Sequence, residues 1–278
     1  MNNIAIVTDS TAYLSTRERE EHGITVVPLT VNFEDGFLYN EIVNNKELFE
    51  RIGRAKKLPF TSQPAAGQFE EIYGALVEAG REVISLHVSS GLSGTFESAA
   101  RAAAAIAPDR ITVFDSLTTS APLAFLVLAA AQWAEEGLAR AAIAARLERA
   151  RGELGSFLIP DTLEYIKKGG RIGGAQALLG SLLQVKPILY FASGKVEVLA
   201  KVRTRRKAIR RMLAELPRQG KNLQVAVVHC AAPGEAVAVK EMILEKAPHQ
   251  AVEIRELGPV LSIHGGPGLV GMGFWARS

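Results

Sequence analysis

VISLHVSSGLSGTFESAARAAAAIAPDRITVF, residues 83–114, decides the fold class. Val83 to Val88 is an apolar run of strand length, Thr95 to Ala107 is a helical stretch, and Ile111 to Phe114 is a second strand. Strand, helix and strand at this spacing form the repeating unit of a parallel sheet covered by helices. Upstream, Ile4 to Val7 reads as a strand ending at Asp9-Ser10, and Ile24 to Val31 as another. Gln68 to Ala79 places Phe69, Ile72, Tyr73, Leu76 and Val77 at helical spacing. Two further helices follow Phe114, and the likeliest junction falls at Gly152 to Gly155.

The second half has a different rhythm. Tyr190 to Val202 reads as two extended segments around the turn Ser193-Gly194, followed by a helix to about Leu216. A strand from Gln224 to His229, a helix opening at Pro233, a strand from Ala251 to Ile254 and a last strand near Met272 to Ala276 predict a mixed sheet with covering helices. The expected fold is therefore α/β with two α/β domains. Residues 1–152 have a mainly parallel sheet and residues 153–278 a mixed one, and the ligand site is expected at the domain cleft.

A chain of 278 residues with 48% hydrophobic residues has ample material for a core, which excludes intrinsic disorder. The longest apolar stretch, Ala121 to Ala131, is too short to cross a bilayer, and Met1 leads straight into a strand-like segment, so neither a membrane span nor secretion is expected. The lone cysteine, Cys230, excludes an internal disulfide and suits a reducing cytoplasm. Net charge is −5 over residues 1–152 and +8 over 153–278, so the basicity belongs to the second half. It gathers at Lys167, Lys168 and Arg171, and again from Lys201 to Arg211, a pattern that suits an anionic partner or a solvated helix face.

Hydroxyl residues crowd three predicted strand ends, where open parallel sheets bind ligands: Thr8-Asp9-Ser10-Thr11, Ser89 to Thr95, and Asp115 to Ser120. In the middle loop, Gly91 and Gly94 let the backbone turn closely while Ser93 or Thr95 opens a helix whose free N–H groups attract a carboxylate or phosphate. Thr61-Ser62-Gln63-Pro64 brings two more hydroxyls and an amide ahead of another helix. Gly258 to Gly268 sets one titratable side chain, His264, among glycines that permit close approach to a ligand. Gly91-Leu92-Ser93-Gly94-Thr95 lacks the final glycine of a nucleophile elbow, and no Walker sequence, dinucleotide fingerprint or H-E-x-x-H helix is present. No cofactor and no resident metal are expected. The stretch from Lys201 to Arg211 lacks the stacking aromatics of a nucleic-acid binder.

In order along the chain stand T-D-S at Thr8 to Ser10, T-S-Q-P at Thr61 to Pro64, S-S-G-L-S-G-T at Ser89 to Thr95 and D-S at Asp115-Ser116. They are followed by Y-I-K-K-G-G-R-I-G at Tyr165 to Gly173, V-K-P-I-L at Val185 to Leu189, K-V-R-T-R at Lys201 to Arg205, and H-G-G-P-G ending at Gly268. This ordered set resembles the bacterial DegV family of cytoplasmic fatty-acid-binding proteins, which includes the acyl-binding subunit of fatty acid kinase. The resemblance implies a non-catalytic chain that binds a long-chain fatty acid and presents its carboxylate to a separate ATP-binding kinase subunit. It also implies that Thr61 and Ser93 hold the carboxylate with His264 nearby; Ser62, Gly94, Thr95 and Ser116 complete the expected ligand set. Lys167, Lys168, Arg171, Arg203, Arg205 and Arg206 are expected to dock the partner.

That assignment has a physical rationale. Each buried CH₂ contributes about 0.8 kcal/mol, so the tail supplies most of the affinity while a few hydrogen bonds fix the head. Hydroxyl donors carry no formal charge and leave the carboxylate nucleophilic. Pro122 to Ala131 and Ala177 to Leu183 are candidate channel walls. Two departures from the family pattern stand out: Ser120 is followed by Ala121-Pro122-Leu123, and Gly265 replaces the usual threonine after the histidine. The alternative from a different class is a phosphotransferase or hydrolase for a small anion, using Asp9, Asp115, Ser93 and His264. Transient membrane contact is compatible with the acyl-binding reading.

Overall fold

The computed structural model describes residues 3–36, 38–39, 45–178, 185–216 and 223–277. They form two compact units, Met1–Thr30 with Thr61–Gly152, and Val31–Phe60 with Glu153–Ser278. The sequence reading had kept residues 31–60 in the first domain. Contacts group this segment with the second unit: the Asn45 amide donates to Glu256 Oε1 at 2.9 Å and to the Leu257 carbonyl at 2.6 Å. The Phe49 ring also meets Tyr165 edge-on, 6.3 Å between centroids. Asn45 and Glu256 are 211 residues apart, a separation that no local periodicity reports.

The chain opens with β1 (Ile4–Asp9), α1 (Thr16–Glu21) and β2 (Thr25–Val27), then β3 (Thr30–Asn32), β4 (Leu38–Tyr39), α2 (Asn45–Arg54) and β5 (Phe60–Ser62). Next come α3 (Ala66–Glu78), β6 (Glu82–His87), α4 (Thr95–Ile106), β7 (Ile111–Asp115), α5 (Ser120–Glu135) and α6 (Arg140–Arg151). The later elements are β8 (Leu154–Ile159), α7 (Glu164–Lys168), β9 (Lys186–Ala192), β10 (Lys195–Val202) and α8 (Arg205–Leu213). The last are β11 (Leu223–His229), α9 (Pro233–Lys246), β12 (Val252–Glu256), α10 (Pro259–Gly265) and β13 (Val270–Ala276).

In the first unit the sheet order is β2–β1–β6–β7, with every pair parallel. All six residues of β1 are buried, as befits a central strand covered on both faces. One face receives α3 and α4, whose Phe69, Tyr73, Ala99, Ala102 and Ala103 pack with Val7, Val27, Val83 and Ile111. α5, the longest apolar run in the sequence, is buried along almost its whole length and packs on β1, β6 and α6. The expected strand from 24 to 31 is two short strands, because Pro28 between them has no N–H for a ladder.

The second unit holds a six-stranded sheet, β10–β9–β8–β13–β11–β12, antiparallel except for β11 with β12. The hairpin turn read at Ser193-Gly194 joins β9 to β10 with φ of 47° and 78°, the left-handed pair that a two-residue I′-type turn requires. β8 had no sequence counterpart. It lies beside β13, and Gly155 lets the Phe274 ring lie flat against its backbone, where a Cβ would collide. A small sheet of order β4–β3–β5 completes the described strands. Of the candidate wall from Ala177 to Leu183, residues 179–183 lie outside the described residues. Among the described residues no helix is long and apolar enough to cross a membrane.

Candidate functional site

Parallel pairing puts the C-terminal ends of β1, β6 and β7 on one edge of the first sheet, where their loops converge. The loop after β6 is pinned at successive residues. The Val88 amide donates to Asp9 Oδ2 at 2.7 Å, the Ser89 amide to the Thr118 carbonyl at 2.9 Å, and the Ser90 amide to Asp115 Oδ1 at 3.1 Å. The Ser90 hydroxyl adds a 2.5 Å bond to Asp115 Oδ2. Asp9 and Asp115, offered by the sequence as phosphoryl-transfer residues, thus accept loop amides and hydroxyls.

The twelve-residue helix α4 begins at Thr95 behind Gly94, and no side chain caps its N-terminus. Of the two residues that the sequence offers to open the helix, Thr95 is the one that does so; the Ser93 hydroxyl lies 2.9 Å from that of Thr95, half-buried beside the free end of the helix. A Cβ at Gly94 would meet the Gln63 carboxamide, which would have to swing aside. The same amide donates to the Gly94 carbonyl at 3.0 Å and to the Ser98 hydroxyl at 2.9 Å. Gln63 therefore ties the end of β5, whose Thr61 and Ser62 are both half-buried, to the start of α4. Uncapped N–H groups with a positive dipole end and several hydroxyls make a neutral cradle for one anionic group.

Ser116 is buried and closes its own turn: its hydroxyl donates to the Thr118 carbonyl and accepts from the Thr118 amide, each at 3.2 Å. In the same loop Leu117 and Ser120 adopt φ of 54° and 56°, a left-handed conformation uncommon for side-chain-bearing residues that clusters at functional sites.

In the second unit the glycine-rich segment folds into α10 instead of a loop, and His264 occupies its last turn, half-buried. Gly266 ends the helix at φ 76°, against the Tyr165 ring, and Gly169 leaves room for the His264 imidazole. Burial, helped by the Arg171 charge, pushes His264 down to about 4, so it is a neutral imidazole at neutral pH. At Gly265 a Cβ would lie 2.8 Å from Leu269 Cδ1; Leu269 fills the space in which a threonine would have to fit.

Acid sensitivity follows. Between the ordinary histidine value of 6.5 and about 4, the unfolded chain binds a proton that the folded chain refuses, so stability falls as pH drops through that window and levels below it. His229, also lowered by burial, acts in the same direction. Urea midpoints at pH 7 and pH 4 should show His264→Gln losing less stability than wild type, by on the order of 2 kcal/mol. Equal losses would show that His264 takes up its proton as readily in the folded chain as in the unfolded one.

The basic residues also belong to the second unit. Lys167, Arg203 and Arg206 are exposed; Lys168 pairs with Glu164 at 3.1 Å, and Arg171 donates to the Gly169 carbonyl at 2.7 Å. Arg205 differs. Its Nε lies 3.0 and 3.1 Å from the two Glu235 carboxylate oxygens, its Nη1 donates to the Ile159 carbonyl at 3.2 Å, and its Nη2 donates to the Gly268 carbonyl. The sequence could not separate this side chain from its exposed neighbours, nor reveal that Tyr73, Ser85, His87 and Asp9 join in one buried network.

The fold and the first unit's strand-end site define a class: a two-unit α/β protein with a hydroxyl-lined, anion-suited cradle beside a parallel sheet. A family model described as "Uncharacterised protein, DegV family" matches residues 3–277, and the chain belongs to the DegV family. It is 42% identical over 276 residues to a DegV domain-containing protein of Streptomyces coelicolor, covering 97% of each chain. It is 37% identical over 275 residues to protein DegV of Bacillus subtilis, covering 97% of this chain and 98% of that one. Among solved structures, a Thermus thermophilus DegV-family protein described as binding fatty acid superposes with a TM-score of 0.92 at 35% identity, over 99% of this chain and 100% of that one. The Bacillus subtilis DegV crystal structure, described as a fatty acid binding protein, gives 0.90 at 36% identity over all of both chains.

Proposed function

We propose that the chain binds a long-chain fatty acid by its carboxylate at the first unit's cradle and presents it to a separate ATP-bearing kinase subunit. The observation that carries this reading is the uncapped N-terminus of α4 with the Ser93 and Thr95 hydroxyls beside it and Thr61 and Ser62 of β5 tied on by Gln63. The fatty-acid binding described for relatives of near full-length similarity supports it. Neutral donors stabilise a carboxylate without a formal counter-charge, so its oxygen keeps the electron pair with which it would attack the γ-phosphorus of ATP, expelling ADP and forming an acyl phosphate. In this reading the chain itself breaks no bond. The setting is cytoplasmic, in keeping with a single cysteine in the whole sequence.

Mass spectrometry of lipid extracted from the protein purified from a bacterial host tests the binding. Close to one long-chain fatty acid per chain is expected. With the kinase subunit and ATP, hydroxylamine should trap the acyl group as a hydroxamate. No extracted fatty acid and no uptake of added fatty acid would end the binding reading; uptake without trapped product would end only presentation.

A further inference from the structure

Behind the cradle, wholly inside the first unit, runs a chain of buried polar side chains that fatty-acid binding does not call on. Tyr73 Oη donates to Ser85 Oγ at 2.7 Å, Ser85 Oγ lies 2.7 Å from His87 Nε2, and His87 Nδ1 lies 3.1 Å from Asp9 Oδ2. All four residues are fully buried, and the Phe69 ring stands edge-on to His87 at 5.1 Å. Asp9 also accepts from the Val88 amide at 2.7 Å, and from the amide and hydroxyl of Thr11 at 3.0 and 2.7 Å.

One arrangement of protons satisfies every group. Tyr73 donates to Ser85, Ser85 donates to Nε2, and a neutral imidazole with its proton on Nδ1 donates to Asp9. With Nε2 also protonated, the Ser85 oxygen would receive two donors, and its own hydrogen would have no acceptor among the described residues. Burial raises the pKa of the Tyr73 hydroxyl, which keeps its proton in place at the head of the relay. At the other end, the amide held by Asp9 is the residue that opens the Ser89 to Gly94 loop.

We propose that His87 and Asp9 are positioning residues: their one-way hydrogen-bond relay fixes the backbone at Val88 and so pre-forms the Ser93 and α4 cradle for a carboxylate. The proposal rests on the carboxylate-binding reading above. Donors held in place before the ligand arrives bind more tightly, because no ordering remains to be done on binding.

Oleic acid and oleyl alcohol, as probes with the same tail, separate the head group from the chain. Wild type is expected to prefer the acid by about tenfold or more. His87→Leu should lose about tenfold in affinity for the acid and less than about twofold for the alcohol. His87→Asn, whose amide can reproduce the Nδ1 donor, should restore the preference to within about threefold. An acid preference that survives in His87→Leu overturns the relay and leaves the binding reading intact. A wild type that treats both probes alike overturns the binding reading and the relay with it. Should His87→Leu fail to fold, Ser85→Ala takes its place, and an unchanged preference there is equally fatal. Independently of any ligand, imidazole ¹⁵N shifts at pH 7 should report the Nδ1–H tautomer; the Nε2–H tautomer would overturn the proposed direction.

Discussion

Replacing Ser93 by Ala should weaken fatty-acid binding by about 1 to 3 kcal/mol, which corresponds to a ~5- to 150-fold rise in Kd. The lost bond would be made to a charged group, and such bonds are worth more than neutral ones. Nothing in the fold should collapse to compensate: Ser93 is half-buried, and its hydroxyl bonds that of Thr95 at 2.9 Å, only two residues on. Thr61→Val, which keeps the volume and the branch of the β5 side chain and removes the hydroxyl, should act in the same direction. Displacement of a fluorescent fatty acid measures both. Wild-type affinity in both variants would mean that the carboxylate is held elsewhere.

The second large effect is expected at Arg205. Arg205→Ala leaves the Glu235 carboxylate without its guanidinium and removes the donors to two backbone carbonyls, Ile159 and Gly268. With the two side chains only 21% and 30% exposed, the loss should be about 2 to 4 kcal/mol of unfolding free energy. Arg205→Lys should recover little of this, because a single ammonium cannot span a carboxylate and two carbonyls as the planar fork does. The exposed Arg203 provides the contrast: Arg203→Glu should change stability by less than about 0.5 kcal/mol. Denaturant midpoints decide the matter, and an Arg205→Ala midpoint equal to that of Arg203→Glu would contradict this account. Charge reversal at Arg203 and Arg206 is therefore the informative probe of the proposed docking to a kinase subunit, through a salt-sensitive association rate, whereas Arg205 would confound docking with unfolding.

Much of this architecture was legible as pattern. The strand, helix and strand of residues 83–114 folded as β6, α4 and β7, and the Ser193-Gly194 turn folded as a hairpin, because alternation, helical spacing and left-handed turn residues are local signals. Signals that depend on distant partners were not legible. The junction read at Gly152 to Gly155 falls where the two units part, but β8, which begins there, was not legible, because Gly155 weakens a strand pattern and its partner β13 lies at the far end of the chain. The glycine-rich segment before Gly268 looked like a loop, yet Pro259 at the first helical position and Gly266 at the end frame a two-turn helix.

The candidate site divides in the same way. Its residue types, hydroxyls and glycines at strand ends, and their resemblance to the DegV family were fixed by the sequence alone, since loop chemistry and the order of motifs are written along the chain. The exchange of residues 31–60 into the second unit was decided only in three dimensions. So were the engagement of Arg205 with Glu235 and the tie from Gln63 to the start of α4. The same holds for the convergence of Tyr73, Ser85, His87 and Asp9 into one buried relay. Each depends on which side chain arrives next to which across a large sequence separation, and that is set by the packing of sheets and helices, because a buried polar group is stable only where the fold delivers it a partner.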